Sequence, residues 1–173
     1  FVNPCTGEML LAGQGTVALE ILGELPDLAT LVAGVGGGGL LGGCASLIRA
    51  VAPRVQIVGA QSENTAAMAL SLAAGQVVEI DNLPTLAEGL AGQIDDYALD
   101  IGQHAIDEIV TLSEADVARS IDWLWAEHKQ RAEGAGVCAV GAVALRKLER
   151  IATPAAVVVS GGNIDPAKFD AIV

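Results

Sequence analysis

Thr30-Leu31-Val32-Ala33-Gly34-Val35-Gly36-Gly37-Gly38-Gly39-Leu40 runs from a short β-branched stretch through four consecutive glycines into an apolar, small-residue segment of helical character. Four glycines let the backbone turn tightly and leave no Cβ between its N–H groups and a bound anion. A helix starting near Leu40 would point its free N–H groups and its dipole into the same turn. The stretch predicts a strand–turn–helix unit whose ligand is a phosphate, free or carried by a cofactor. The alternative is a tight turn whose glycines serve packing only, since one glycine-rich loop is a weak motif.

The same alternation extends in both directions. Upstream, Phe1 to Leu11 reads as an irregular lead-in broken by Pro4 and Gly7, and Thr16 as the N-cap of a helix that Pro26-Asp27 ends. Downstream, Leu40–Val51 reads as a helix stopped by Pro53, Val55–Ala60 as a second buried strand, and Asn64–Ala74 as a helix stopped by Gly75. Val77–Ile80 is a candidate short strand, Leu83–Gly92 a loop or short helix, and Tyr97–His104 a helix. Glu108–Leu112 is a strand leading into Ser113, an N-cap with Asp116 three residues on in capping-box spacing. That helix is expected to reach Arg131. A further one is expected from Gly134 to Arg150, its cations Arg146, Lys147 and Arg150 suiting the C-terminal dipole. Ala155–Ser160 is the last strand and runs into Gly161-Gly162-Asn163. Unbroken apolar strands alternating with helices predict one α/β domain over 1–173, with a mostly parallel twisted sheet and helices on both faces. In such sheets ligands lie beyond the carboxyl ends of the strands.

Composition agrees with that class. Apolar residues make up 52% of the chain, aromatics 3%, and glycine occurs 21 times, which suits helices packed closely on a sheet. The net charge of −12 argues against nucleic acid and against an anionic membrane surface, both of which need clustered Lys and Arg. Cys5, Cys44 and Cys138 are scattered and read as free thiols in a reducing compartment. His104 and His128 are too far from each other and from any Cys cluster to suggest zinc. There is no basic-then-apolar leader, so the expected location is the cytoplasm. The chain opens at Phe1 without a methionine, as a piece of a longer protein would.

Five motifs recur together in a known order: Ala12-Gly13-Gln14-Gly15-Thr16, Gly36–Gly39, Ala87-Glu88-Gly89, Glu133-Gly134-Ala135-Gly136 and Ser160-Gly161-Gly162-Asn163. The set closely resembles the second half of the pyridoxal-phosphate-dependent serine/threonine dehydratases, the fold type II family that also includes serine racemases. The resemblance spans essentially the whole chain and implies the large, cofactor-binding domain, with the small domain incomplete. It implies that Gly36, Gly37, Gly38, Gly39 and the N–H of Leu40 hold the cofactor phosphate, and that Ser160 faces the pyridine nitrogen. It also implies that Gly89 lets backbone approach the ring and that Glu133 lies near its polar substituents. By themselves, Ser160 reads as a turn residue ending a strand and Glu133 as a favourable charge at a helix N-terminus.

Departures from the family pattern qualify the resemblance. The family's Schiff-base lysine lies in a Ser-Phe-Lys-x-Arg-like motif that this chain lacks. Its three lysines, Lys129, Lys147 and Lys168, read as solvated surface groups, so no catalytic residue is assigned. The Ser-Ser/Gly-Asn-His loop that grips the substrate carboxylate in relatives is also absent. Where racemase-like relatives carry acidic cation ligands stand Gln61 and Ala67, with Glu63 and Asn64 nearby, so no metal is expected. The implied activity is threonine or serine conversion to a 2-oxo acid and ammonia by the parent enzyme, the chain alone being inactive. The alternative is an inactive module that binds phosphate or pyridoxal phosphate, or self-associates. An exposed strand edge and apolar helix faces favour a homo-oligomer.

Overall fold

The computed structural model describes residues 7–173; the start of the expected lead-in, with Cys5, lies outside them. Four strands form one parallel sheet: β1 (Thr30–Gly34), β2 (Gln56–Ser62), β3 (Glu108–Leu112) and β4 (Ala155–Val157), in the order β3-β2-β1-β4. Leu31 of β1 stands opposite Ile57 of β2 on one side and Ala156 of β4 on the other. The central strand β1 is buried at every position, which is why it is an unbroken apolar run rather than an alternating one.

The two-residue period of the strands sorts their side chains into two cores. Leu31, Ala33, Ile57 and Ala156 pack with α1 (Glu8–Glu24), α2 (Gly39–Val51), α3 (Ala67–Ala74) and α4 (Asp96–Ala105). Val32, Val58, Ala60 and Val157 pack on the opposite face with α5 (Glu114–His128), α6 (Gly134–Ala144) and Phe169 of the short α7 (Pro166–Asp170). The expected sheet with helices on both faces is the observed one.

Several boundaries differ from the sequence expectation, each for a tertiary or capping reason. The first helix begins at Glu8, and Thr16 is not its cap but lies inside it, donating from Oγ1 to the Gly13 carbonyl at 2.7 Å. Packing on α2 overrides the cap signal: a Cβ on Gly43 would lie 2.5 Å from the Leu11 carbonyl oxygen, so the two helices touch backbone to backbone. Val77–Ile80 forms no strand; the Gln93 side chain accepts from Ile80 N at 3.3 Å and donates to Ile80 O at 2.6 Å. A side-chain amide supplies what a neighbouring strand would have.

The α5 helix stops at His128, with Lys129 left-handed at φ 55°. The α6 helix stops at Ala144 rather than Arg150. Arg146 is left-handed at φ 54°, its N–H donates to Val143 O, and Lys147 N donates to Ala142 O, a Schellman closure. Lys147 therefore does not serve the helix dipole. It reaches across to Asp116 on α5 at 2.7 Å. The capping box is present as expected: Ser113 Oγ accepts from Asp116 N, and Asp116 Oδ2 accepts from Ser113 N.

Cys44 and Cys138 are buried free thiols. Burial pushes Cys44 up to about 11, and burial with the Glu114 charge pushes Cys138 up to about 12. Neither is poised as a nucleophile at neutral pH. Among the described residues no helix is long and apolar enough to cross a membrane.

Candidate functional site

At the carboxyl ends of β1 and β4 lies a cleft of about 670 Å³. Gly36, Gly37, Gly38, Gly39, Leu40, Gly89, Glu133 and Ser160, all singled out in the sequence, line it together. Four chain segments distant in sequence thus meet at one place: two of them follow the parallel strands β1 and β4, whose C-terminal ends point the same way, and two come from the turn before α4 and the start of α6.

The floor is the glycine loop. Val35 N still donates to Ala60 O of β2, and Gly42 N donates to Gly38 O inside α2. Between them, among the described residues, the N–H groups of Gly36 through Leu41 have no protein acceptor. Gly38 is the N-cap of α2, left-handed at φ 96°, and no side chain caps the helix. A row of unpaired donors at the positive end of a helix dipole is an anion cradle. No Lys or Arg lines the cleft, so an anion here would rest on backbone N–H groups alone. The donor set fits a phosphate ester and would not suit a metal cation.

The walls are built on backbone contacts. The turn Glu88–Leu90 presses on the loop so closely that a Cβ on Gly36 would lie 2.9 Å from both Leu90 Cα and Leu90 O. Glu133 is the residue preceding α6; its N–H donates to Gly161 O at 3.1 Å, and its carboxylate lies against Gly161, where a Cβ would overlap it. Gly89 is exposed at the rim, 3.8 Å from Glu133 Oε1 when a Cβ is built on it. Ser160 follows β4, whose ladder with β1 continues one residue further through Val158 N to Val32 O at 2.9 Å.

The three lysines are engaged elsewhere. Lys129 sits over the Trp125 ring at 5.8 Å, Lys147 pairs with Asp116, and Lys168 pairs with Glu88 at 2.5 Å, lining a smaller adjoining cavity that shares Gly89 and Glu133. Lys147 is exposed, as expected of a surface lysine, but it is held in an ion pair with a buried carboxylate. Gln61 is fully buried, and its side chain accepts from Ala69 N of α3 at 3.0 Å. Asn64 donates to Pro84 O, and among the described residues no three His, Cys, Asp or Glu side chains gather as a metal set.

Gln14 and Val17 of α1 also line the cleft and were not singled out as site residues. Gln14 was within reach, because it belongs to the Ala12–Thr16 motif; Val17 carries no signal beyond helical spacing.

The sequence pattern of the family described as pyridoxal-phosphate dependent enzyme matches residues 1–161. The chain is 40% identical to the L-threonine ammonia-lyase of Thermotoga maritima over 100% of its own length and 43% of the relative's. It is 34% identical to the catabolic L-threonine dehydratase TdcB of Escherichia coli, over 99% of the chain and 53% of the relative. Among solved structures, it superposes on a maize serine racemase with TM-score 0.91 at 25% identity, covering 98% of the chain and 54% of the racemase. On the processed threonine deaminase isoform 2 of Solanum lycopersicum the TM-score is 0.90 at 28% identity, covering 99% and 51%. The chain spans about half the length of the curated relatives it matches.

Proposed function

Since the chain belongs to the pyridoxal-phosphate dependent enzymes, we propose that its glycine-floored cleft holds the cofactor in an ammonia-lyase that converts threonine or serine to a 2-oxo acid and ammonia. One observation carries the proposal: the unpaired N–H groups from Gly36 to Leu41 open into the cleft that Gly89, Glu133 and Ser160 also line. When bound, pyridoxal phosphate supplies an electron sink that acidifies the amino-acid Cα. In this reading the loop N–H groups bind the phosphate and orient the ring. Ser160 offers the ring nitrogen a neutral hydroxyl rather than a carboxylate, which moderates the sink. Glu133 and Gly89 form the wall beside the ring. The greater identity to threonine ammonia-lyases than to serine racemases supports lyase over racemase chemistry. We also place the protein in the cytoplasm.

Calorimetric titration of the chain with pyridoxal phosphate tests the cradle. Saturable binding that inorganic phosphate weakens is the expected result. No binding, or binding indifferent to phosphate, would overturn it.

A second reading is favoured by the absence of any lysine from the cleft lining: a module that binds the cofactor without turnover of its own. Incubation of the cofactor-loaded chain with threonine and a polypeptide that supplies a Schiff-base lysine separates the two, because only the lyase reading predicts 2-oxo acid in the combined sample. Self-association belongs to either reading. Among the described residues strand β4 pairs with β1 alone, and beside it Trp123, Val140, Val143 and Val157 line an apolar hollow. Sedimentation should show a dimer or larger species at micromolar concentration, and a strict monomer would count against it.

A further inference from the structure

Between α3 and α4 the chain runs from Gln76 to Asp95 without a strand, so no sheet ladder holds the segment that forms one wall of the cleft. Gln93 holds its start at Ile80 and Asn64 its middle at Pro84, and the stretch that leads into the cleft wall is held by a side chain outside the cleft. Glu114, the first residue of α5, places its carboxylate under this segment and takes three hydrogen bonds. Oε1 accepts from Ser62 Oγ at 2.5 Å and from Thr85 Oγ1 at 2.7 Å, and Oε2 accepts from Leu86 N at 2.6 Å. The bonds are charge-assisted, and the carboxylate sits at a helix N-terminus, where its charge is favoured.

The connection continues from there into the cleft wall. Thr85 Oγ1 accepts from Ala87 N at 2.9 Å, Ala87 O accepts from Leu90 N at 2.9 Å, and Glu88 O accepts from Ala91 N at 3.1 Å. Ala87 is fully buried, and the Leu86 carbonyl packs where a Cβ on Gly134 would be, at the start of α6. At the far end, the backbone of Leu90 rests on Gly36. A single carboxylate thus ties the end of β2, the start of α5 and the turn Glu88–Leu90 into one unit that ends at the glycine loop.

We propose that Glu114 is the positioning residue of this site: through Thr85 and Leu86 it sets the turn that carries Gly89 and Leu90 against the glycine loop. The claim deepens the cofactor reading and rests on it for the consequence in binding, but not for the consequence in the wall itself.

Amide hydrogen exchange of the full chain, without ligand, reads the wall directly. In Glu114→Ala the amides of Leu86, Leu90 and Ala91 are expected to exchange about 10- to 100-fold faster, while those of β1 and β2 keep their protection. Glu114→Gln retains a carbonyl acceptor for Leu86 N and an amide that can donate to the two hydroxyls, and should stay within about threefold of the parent. Should Glu114→Ala fail to fold, Thr85→Val breaks the relay at its second link and should give the same local acceleration. Unchanged exchange over 86–91 in these variants, or equal acceleration everywhere, overturns the proposal.

A second arm measures pyridoxal phosphate affinity. A fall of about tenfold in Glu114→Ala, restored in Glu114→Gln, is expected if the wall serves the cofactor. Equal affinity in Glu114→Ala and the parent overturns that part. A parent chain that binds no pyridoxal phosphate would instead overturn the cofactor reading, and the exchange contrast would still decide the role of Glu114.

Discussion

Gly36→Val should weaken pyridoxal phosphate binding by about 100-fold, because a displacement of a few tenths of an ångström to 1 Å in a positioning element has effects of that order. The reason lies in what surrounds Gly36. The atoms a Cβ would meet at 2.9 Å, Leu90 Cα and Leu90 O, belong to backbone and cannot turn aside by changing rotamer. Either the Glu88–Leu90 turn or the loop must move. If the loop moves, the N–H groups that follow it lose their common direction, and hydrogen bonds to a charged group are worth about 1.5–3 kcal/mol each. A 100-fold loss is about 2.7 kcal/mol, the worth of one to two such bonds. Gly23→Ala is the control, since nothing lies within 4 Å of a Cβ there and the residue is outside the cleft. Calorimetric titration of both variants checks the prediction. Parent-like affinity in Gly36→Val would show that the loop does not hold the phosphate.

Asp116→Ala should lower stability by about 2–3 kcal/mol, because it removes the capping-box partner of α5 and the charge-assisted hydrogen bonds that the carboxylate takes. The Asp116 side chain is only 4% exposed and meets Lys147 at 2.7 Å, the Arg119 guanidinium, and both the N–H and hydroxyl of Ser113. Removing the carboxylate releases Lys147 to water and opens the capping box, so the start of α5 and the segment after α6 come loose from each other. For a chain of this length such a loss should lower the melting midpoint by ~10 °C.

The pH dependence has a definite sign. Lys147 first, and then Ser113 and Arg119, hold the Asp116 carboxyl far below the usual carboxylate range against the opposing effect of burial. A depressed folded-state value means the contribution is fully present above the unfolded value of about 3.9 and is lost as pH falls through the folded one. The stability gap between the parent and Asp116→Asn should therefore be constant above about pH 5 and shrink progressively below pH 4. Chemical denaturation at a series of pH values measures it. A gap that persists undiminished under acid would show that the carboxylate charge is not its origin.

Glu114 and Asp116 show where sequence reading stops. The Ser113–Asp116 capping box was legible because both partners lie within one helical turn, where spacing fixes geometry. Nothing near Lys147 announces that it leaves its own helix for Asp116, nor does anything near Glu114 announce Thr85 and Leu86, 29 and 28 residues away. The start of α1 departs from the sequence expectation for a related reason. Thr16 carries a cap signal, but backbone contact between Gly43 and Leu11 makes a longer helix pay off in packing. Local propensity is worth tenths of a kcal/mol per residue, and tertiary burial outweighs it.

Periodicity alone determined the α/β class, the parallel sheet, the glycine turn between β1 and α2, and most elements within a few residues, because apolar strands and glycine breakers act over short stretches of chain. Together with five ordered motifs, it also determined the family, which the match over residues 1–161 bears out. Only the tertiary structure decided that eight residues from four distant segments share one cleft, that the cleft has no lysine in its lining, and that Glu114 helps hold one wall in place. These are matters of which atoms meet after the chain has crossed the sheet, and a contact made through space leaves no period in the sequence.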